Sequence, residues 1–193
     1  MPPRAEINFV NIGYVFLDRD GVLNRKPPEG QYVTRWEQFE LLPGVEDALA
    51  RLNQSRRKVI VVTNQRGVAR GLYSLADVER MHERLQARLA ARDARLDAIY
   101  ICPHEEGQCN CRKPLTGMFE QAFRDFPAAN AANSVIVGDS LRDIQAGRAV
   151  GMRTVLVDDP ADSSDELNQA RNLADVSAVS LSEFVERLLA PNI

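Results

Sequence analysis

The chain has 193 residues, 45% hydrophobic and 26% charged, enough for one soluble α/β domain spanning 1–193 and short for two. A net charge of -3 supplies no basic field for nucleic acid or anionic lipid, so affinity for any anion must come from a local site. No apolar stretch approaches the roughly 20 residues that span a bilayer, and the start, MPPRAEINFVNIGYVFLDRD, lacks a basic n-region, so a cytoplasmic protein without a secretory signal is expected.

The first predicted strand is Tyr14–Leu17, and it runs straight into Asp18-Arg19-Asp20-Gly21. Two carboxylates one residue apart beyond a buried strand repel each other unless a cation lies between them. Magnesium suits such a place, because it takes hard oxygen ligands and bridges carboxylates to phosphate. Side chains alternate along a strand, so Asp18 and Asp20 can share a side, one as nucleophile and one as acid/base. Gly21 lets the chain turn away. The Pro- and Gly-rich stretch Asn24–Gln38 reads as a functional loop.

A helix is expected after Pro43-Gly44, with Val45, Ala48, Leu49 and Leu52 on one face. The second strand, Val59–Thr63, leads into Thr63-Asn64-Gln65-Arg66-Gly67. There a hydroxyl and the backbone N–H groups that follow can donate to phosphate oxygens, which makes Thr63, Asn64, Gln65 and Arg66 candidates for binding. Ser74, with Asp77 three residues on, opens a longer helix that buries Val78, Met81, Leu85 and Leu89.

The third strand, Ile99–Cys102, opens a segment holding all three cysteines, Cys102, Cys109 and Cys111, together with His104. An odd, tightly clustered set does not make a disulfide framework. Three thiolates and an imidazole within ten residues match a closed Cys₃His zinc site, structural because no coordination position is left for a catalytic water. Arg112 and Lys113 follow directly. Such a clip would hold both over the sheet edge, Lys113 to neutralise a phosphoryl group and Arg112 to grip the substrate.

A helix is expected after Thr116. The fourth strand, Val135–Val137, leads into Gly138-Asp139-Ser140-Leu141-Arg142-Asp143, where Asp139 would be a further carboxylate for the metal and Asp143 a weaker ligand or supporting partner. Helices after Asp143 and Ser182, strands at Thr154–Val157 and Val176–Val179, and a solvated acidic loop over Asp158–Asp165 complete the reading. The near-continuous Val/Ile/Leu runs fit parallel strands buried on both faces, and strand–helix alternation predicts a doubly wound α/β sheet with right-handed crossovers. In such sheets ligands bind beyond the carboxyl ends of the strands, where these motifs converge.

DxDG, then a Thr after a second strand, then a Lys, then GDSxxD, resembles the haloacid dehalogenase superfamily over about residues 14–157. The stretches Asp18–Asn24 and Thr63–Gly71, with C-x-H…C-x-C-R-K-P, are similar to its histidinol-phosphatase and heptose-bisphosphatase branch; TNQ-x-G-[IV]-A-R-G favours the heptose side. The resemblance implies a Rossmann-like core without a large cap domain and a phosphatase acting on a small phosphorylated metabolite. It makes Asp18 the nucleophile, Asp20 the acid/base, Thr63 and Lys113 the stabilisers of the phosphoryl group, and Arg112 a recognition residue. Asp18, Asp139 and the main-chain carbonyl of Asp20 would ligate magnesium, with zinc in the Cys/His loop. Four residues separate His104 from Cys109, where heptose phosphatases often carry a longer loop, and Ser140 replaces a lysine sometimes found after the metal-binding Asp.

As general acid Asp20 must start protonated, so a raised pKa and loss of turnover at high pH are expected. A non-enzymatic phospho-switch combines similar residue types, but its phosphorylated Asp follows a later strand; a zinc loop serving only to bind partners is the other alternative. With no obvious apolar seam, a monomer is expected.

Overall fold

A computed structural model describes Phe9 and residues 11–190. Six parallel strands form one sheet: β1 (Tyr14–Leu17), β2 (Lys58–Asn64), β3 (Ala98–Cys102), β4 (Ser134–Gly138), β5 (Arg153–Val157) and β6 (Val176–Ala178), in the order β3-β2-β1-β4-β5-β6. Of the N-terminal stretch read for a leader, residues 1–8 and 10 lie outside the described residues. No described helix is long and apolar enough to cross a membrane.

Alternation along the strands divides the core in two. Val15, Leu17, Val59, Val61, Val135 and Val137 face α1 (Val45–Gln54), α3 (Leu75–Ala90) and α7 (Leu181–Leu189). Their neighbours Phe16, Ile60, Val62 and Ile136 face α4 (Gly117–Asp125) and Ala146 of α5 (Leu141–Ala149). Both sets are buried, which is why these strands read as unbroken apolar runs. A third cluster joins Ile144 of α5 and Leu156 of β5 to Leu167 and Ala170 of α6 (Asp165–Leu173).

The predicted cap of α3 is present: the Ser74 hydroxyl accepts from Asp77 N, and the Asp77 carboxylate accepts from Ser74 N at 2.8 Å. Three expectations need correction. Helix α5 does not follow Asp143 but starts at Leu141, because Ser140 and Asp143 close a capping box around its first turn. Helix α7 starts at Leu181, one residue before Ser182, with the Ser180 hydroxyl accepting from Glu183 N. The acidic loop ends at Ser164, whose hydroxyl caps α6 by accepting from Leu167 N.

The loop after β1 is more structured than its composition suggests. Asn24 bridges to Asp20 and Leu41, a 3-10 turn covers Trp36–Gln38, and Val33 and Phe39 are buried. A one-turn helix α2 (Arg66–Ala69) follows β2.

Candidate active site

Strand order reverses direction at β1 and β4, the two central strands, and ligands gather at the carboxyl ends of such a switch point. Asp18 follows β1 and Asp139 follows β4, with register pairs Leu17↔Val137 beneath them and Asp18 N donating to Val137 O at 2.9 Å. Carboxylate oxygens of Asp18, Asp139 and Asp143 all lie within 4.8 Å of one another.

Gly21 explains how the chain closes on this group. It adopts φ +90°, and a Cβ there would lie 2.1 Å from Asp139 Oδ2. The glycine thus makes room for the Asp139 carboxylate as well as turning the chain.

Three carboxylates in a buried setting need positive charge. Lys113, only 2% exposed, places Nζ 2.8 Å from Asp18 Oδ1 and 2.6 Å from Asp143 Oδ1, and donates to Val62 O at 2.7 Å. Burial alone would lower its pKa, but Asp143 and Asp18 hold it above the ordinary lysine value. Lys26 comes from the loop after β1 to pair with Asp139 Oδ2 at 2.7 Å. Two lysines do not offset the crowding. Burial, with Asp143 and Asp139 nearby, pushes Asp18 up to about 7 against the pull of Lys113, and burial pushes Asp139 up to about 6 against Lys26.

Asp20 differs. Burial would raise its pKa, as expected from the sequence, but the Arg19 guanidinium and donors from Asn24 and Gln65 outweigh burial and hold the carboxyl below its usual range. Arg19 Nη2 lies 2.9 Å from both Asp20 oxygens, Asn24 Nδ2 2.8 Å from Oδ1, and Gln65 Nε2 3.1 Å from Oδ2. The expectation of a raised Asp20 pKa is therefore corrected. The cation beside Asp20 is the arginine inside the DxD motif itself.

The second strand's motif serves several places. Thr63 is buried, and Gln65 Nε2 donates to its hydroxyl at 2.9 Å, linking Thr63 to Asp20. Asn64 clamps the backbone of Lys113: its Nδ2 donates to Lys113 O at 3.1 Å and its Oδ1 accepts from Lys113 N at 3.0 Å. Arg66 pairs with Glu105, as does Arg70 at 3.3 Å, so α2 grips the loop after β3.

In that loop, Cys102 and Cys109 sulfurs lie 3.6 Å apart, Cys109 and Cys111 3.2 Å, and His104 Nδ1 is 3.4 Å from Cys111 and 3.9 Å from Cys102. A tetrahedron with Zn–S near 2.3 Å has ligand separations of about 3.8 Å, so the four atoms fit one zinc ion. Burial drives the Cys102 and Cys111 thiols up; Cys109, against burial, is drawn down to about 7 by hydrogen bonds from Cys111 and the Arg112 backbone. Without a metal, Cys102 and Cys111 are therefore held as thiols, and a dication would be needed to draw all three sulfurs into the thiolate form. Arg112 packs against the loop, nearly buried, with Nη1 3.4 Å from His104 O.

Sequence reasoning missed Lys26, Arg19 and the buried His82, whose Nε2 lies 3.5 Å from Arg19 Nη1. The strand–motif pattern pointed to none of them; the one available signal was that Arg19 interrupts a pair of acids.

A family model described as HAD-hydrolase-like matches residues 110–184. The chain is 40% identical over 173 residues to D-glycero-alpha-D-manno-heptose-1,7-bisphosphate 7-phosphatase of Mycobacterium tuberculosis, covering 88% of each. It is 39% identical over 183 residues to the beta-anomer counterpart of Escherichia coli K12, covering 90% of this chain and 92% of that one. Among solved structures, the D,D-heptose 1,7-bisphosphate phosphatase of Bordetella bronchiseptica, complexed with magnesium and phosphate, superposes with a TM-score of 0.81 at 33% identity, covering 92% and 98% of the two chains.

Proposed function

This chain belongs to the haloacid dehalogenase-like phosphatases, and on that premise we propose that it removes the 7-phosphate of D-glycero-D-manno-heptose 1,7-bisphosphate through an aspartyl phosphate on Asp18. The observation that carries the reading is the meeting of Asp18 with Lys113, Asp139 and Asp143 at the switch point, in a chain 40% identical to a heptose phosphatase.

Magnesium fits the carboxylates. Burial, with repulsion among them added, raises two of their pKa values, and Lys26 already supplies part of the cation they call for. Asp18, Asp139 and the main-chain carbonyl of Asp20 would hold it, with Asp143 behind. When bound, magnesium would supply the charge that lets a carboxylate approach a phosphate dianion. Cys102, His104, Cys109 and Cys111 would hold zinc and fix the loop that carries Arg112 and Lys113.

In the first step an Asp18 oxygen forms a bond to phosphorus as the bond to the sugar oxygen breaks. Lys113 and Thr63 donate to the transferring oxygens, and Arg112 helps to recognise the substrate. Asp20 gives a proton to the leaving oxygen, then takes one from the water that attacks the aspartyl phosphate, releasing inorganic phosphate and free Asp18. Because Arg19 favours the ionised form of Asp20, the resting site holds it ready as base, and the acid role is filled more readily at lower pH.

The test is phosphate release, with magnesium, from both anomers of the heptose bisphosphate, histidinol phosphate and fructose 1,6-bisphosphate. One or both heptose anomers should be turned over at least tenfold more efficiently than the others. Preference for histidinol phosphate would overturn the substrate assignment.

A further inference from the structure

Arg19 lies inside the DxD motif, yet its side chain is only 1% exposed. A buried guanidinium has five donors in a fixed plane and no means of shedding its charge, so its neighbours must meet it on several sides. In front, Nε and Nη2 reach Asp20 at 3.3 and 2.9 Å. Behind, Nη1 is 3.5 Å from His82 Nε2. Burial first, and the Arg19 charge second, push the His82 pKa down to about 3, so the neutral ring with its proton on Nδ1 offers a lone pair to Arg19. Over one face, the Phe39 ring lies 5.4 Å from Arg19 Cζ and stacks in turn on Trp36.

The remaining Asp20 contacts are equally constrained. The Tyr73 hydroxyl donates to Gln65 Oε1 at 2.9 Å, which fixes the amide so that Nε2 faces Asp20 and Thr63. Tyr73 packs so tightly on Gly67 that a Cβ there would lie 2.1 Å from the ring. An ion pair made only to neutralise charge would not need such bracing. A planar fork locked on both sides defines the plane of the carboxylate it grips.

We propose that Arg19, braced by His82 and Phe39, is a positioning residue that sets the orientation of the Asp20 carboxylate for proton transfer. The inference rests on the reading of Asp20 as acid/base. Arg19 does not meet the substrate; it acts through Asp20, whose side chain is 23% exposed and is held by the Arg19 fork together with single donors from Asn24 and Gln65. A misplacement of about 1 Å costs catalysis on the order of 10²-fold, so small changes in this bracing have measurable effects.

The experiment measures kcat and KM for phosphate release from heptose bisphosphate in five variants. Arg19→Lys keeps the charge and loses the fork; kcat should fall roughly 10- to 100-fold with KM within about twofold. His82→Gln, which can still accept from Arg19, should keep most of the turnover, whereas His82→Leu should lose a share comparable to Arg19→Lys. In an Asp20→Asn background, Arg19→Lys should add no loss beyond about twofold, because both changes act on one group. Unchanged kcat in Arg19→Lys, an equal penalty with and without Asp20, or equal losses in the two His82 variants would overturn the proposal. If Arg19→Lys fails to unfold cooperatively, the His82 pair and an Asp20→Asn/His82→Leu cycle decide. Full turnover in Asp20→Asn alone would instead remove the acid/base reading.

Discussion

The two candidate metal centres are built in opposite ways. The carboxylate group draws Asp18, Asp139 and Asp143 from two strand ends more than a hundred residues apart, and the sheet brings them together. The thiol group comes from ten consecutive residues, the last of β3 and the loop that follows it. The carboxylates also have protein cations among them, Lys113 and Lys26, whereas the cations near the thiols bind elsewhere: Arg66 and Arg70 on Glu105, Arg112 on His104 O. A centre assembled by the sheet and partly neutralised should keep its shape without metal. One assembled by a loop, with no protein cation to favour its thiolates, should depend on the ion.

The strongest blow to the first centre is Lys113→Met. It leaves Asp18 and Asp143 buried without their shared cation, which should cost roughly 3–5 kcal/mol of stability, read by urea denaturation, together with nearly all turnover. Asp18→Asn, by contrast, should lower turnover by on the order of 10⁴-fold or more with no loss of cooperative unfolding; an active variant would end the covalent reading. Gly21→Ala forces a side chain into Asp139 at a positive φ. It should cost about 1–3 kcal/mol of strain and weaken magnesium dependence, seen as a higher magnesium concentration for half-maximal rate.

For the second centre, Cys109→Ser should reduce bound zinc to well under half an equivalent by metal analysis and make the chain cleavable by protease within residues 103–112, with the sheet intact. Zinc retained at one equivalent would sink the clip. A smaller effect sharpens the comparison through pH. Asp18 and Asp139 have folded pKa values raised to about 7 and 6, so they contribute stability that is full below about 3.8 and lost as pH rises through those values. Magnesium competes with those protons, so its increment in Tm should be larger at pH 7.5 than at pH 5. Equal increments would argue that the ion binds elsewhere. As a control, Arg88→Ala, which breaks a surface pair with Glu46 at 2.9 Å, should cost under about 1 kcal/mol and leave turnover unchanged.

Much of this arrangement was legible in the sequence, for identifiable reasons. Strands buried on both faces leave unbroken apolar runs, so β1 to β5 stood out to within a residue or two. The chemistry lay in short motifs directly after those runs, and the thiol cluster is local enough that spacing alone described it. What stayed hidden depends on distant neighbours. The Asp20 pKa is set by Asn24 and Gln65 as well as Arg19, and no spacing rule brings a residue 45 positions away onto a carboxylate. Lys26 reaches Asp139 across 113 positions, and nothing in the helical spacing sets His82, buried beside Met81 and Leu85, apart from its neighbours. Helix starts at α5 and α7 were misplaced because Asp143 and Ser182 lie inside first turns that Ser140 and Ser180 already cap.

The Leu17↔Val137 ladder has one further consequence. Asp18 and Asp139 grow from the two middle strands, flanked by apolar layers on both sides, so their backbone amides belong to the part of the molecule that opens last. Hydrogen exchange at Phe16 and Ile136 should therefore proceed only through global unfolding, at a free energy equal to that from denaturant. A destabilising change far from the site would then reduce activity by shrinking the folded fraction, leaving each surviving molecule as fast as before.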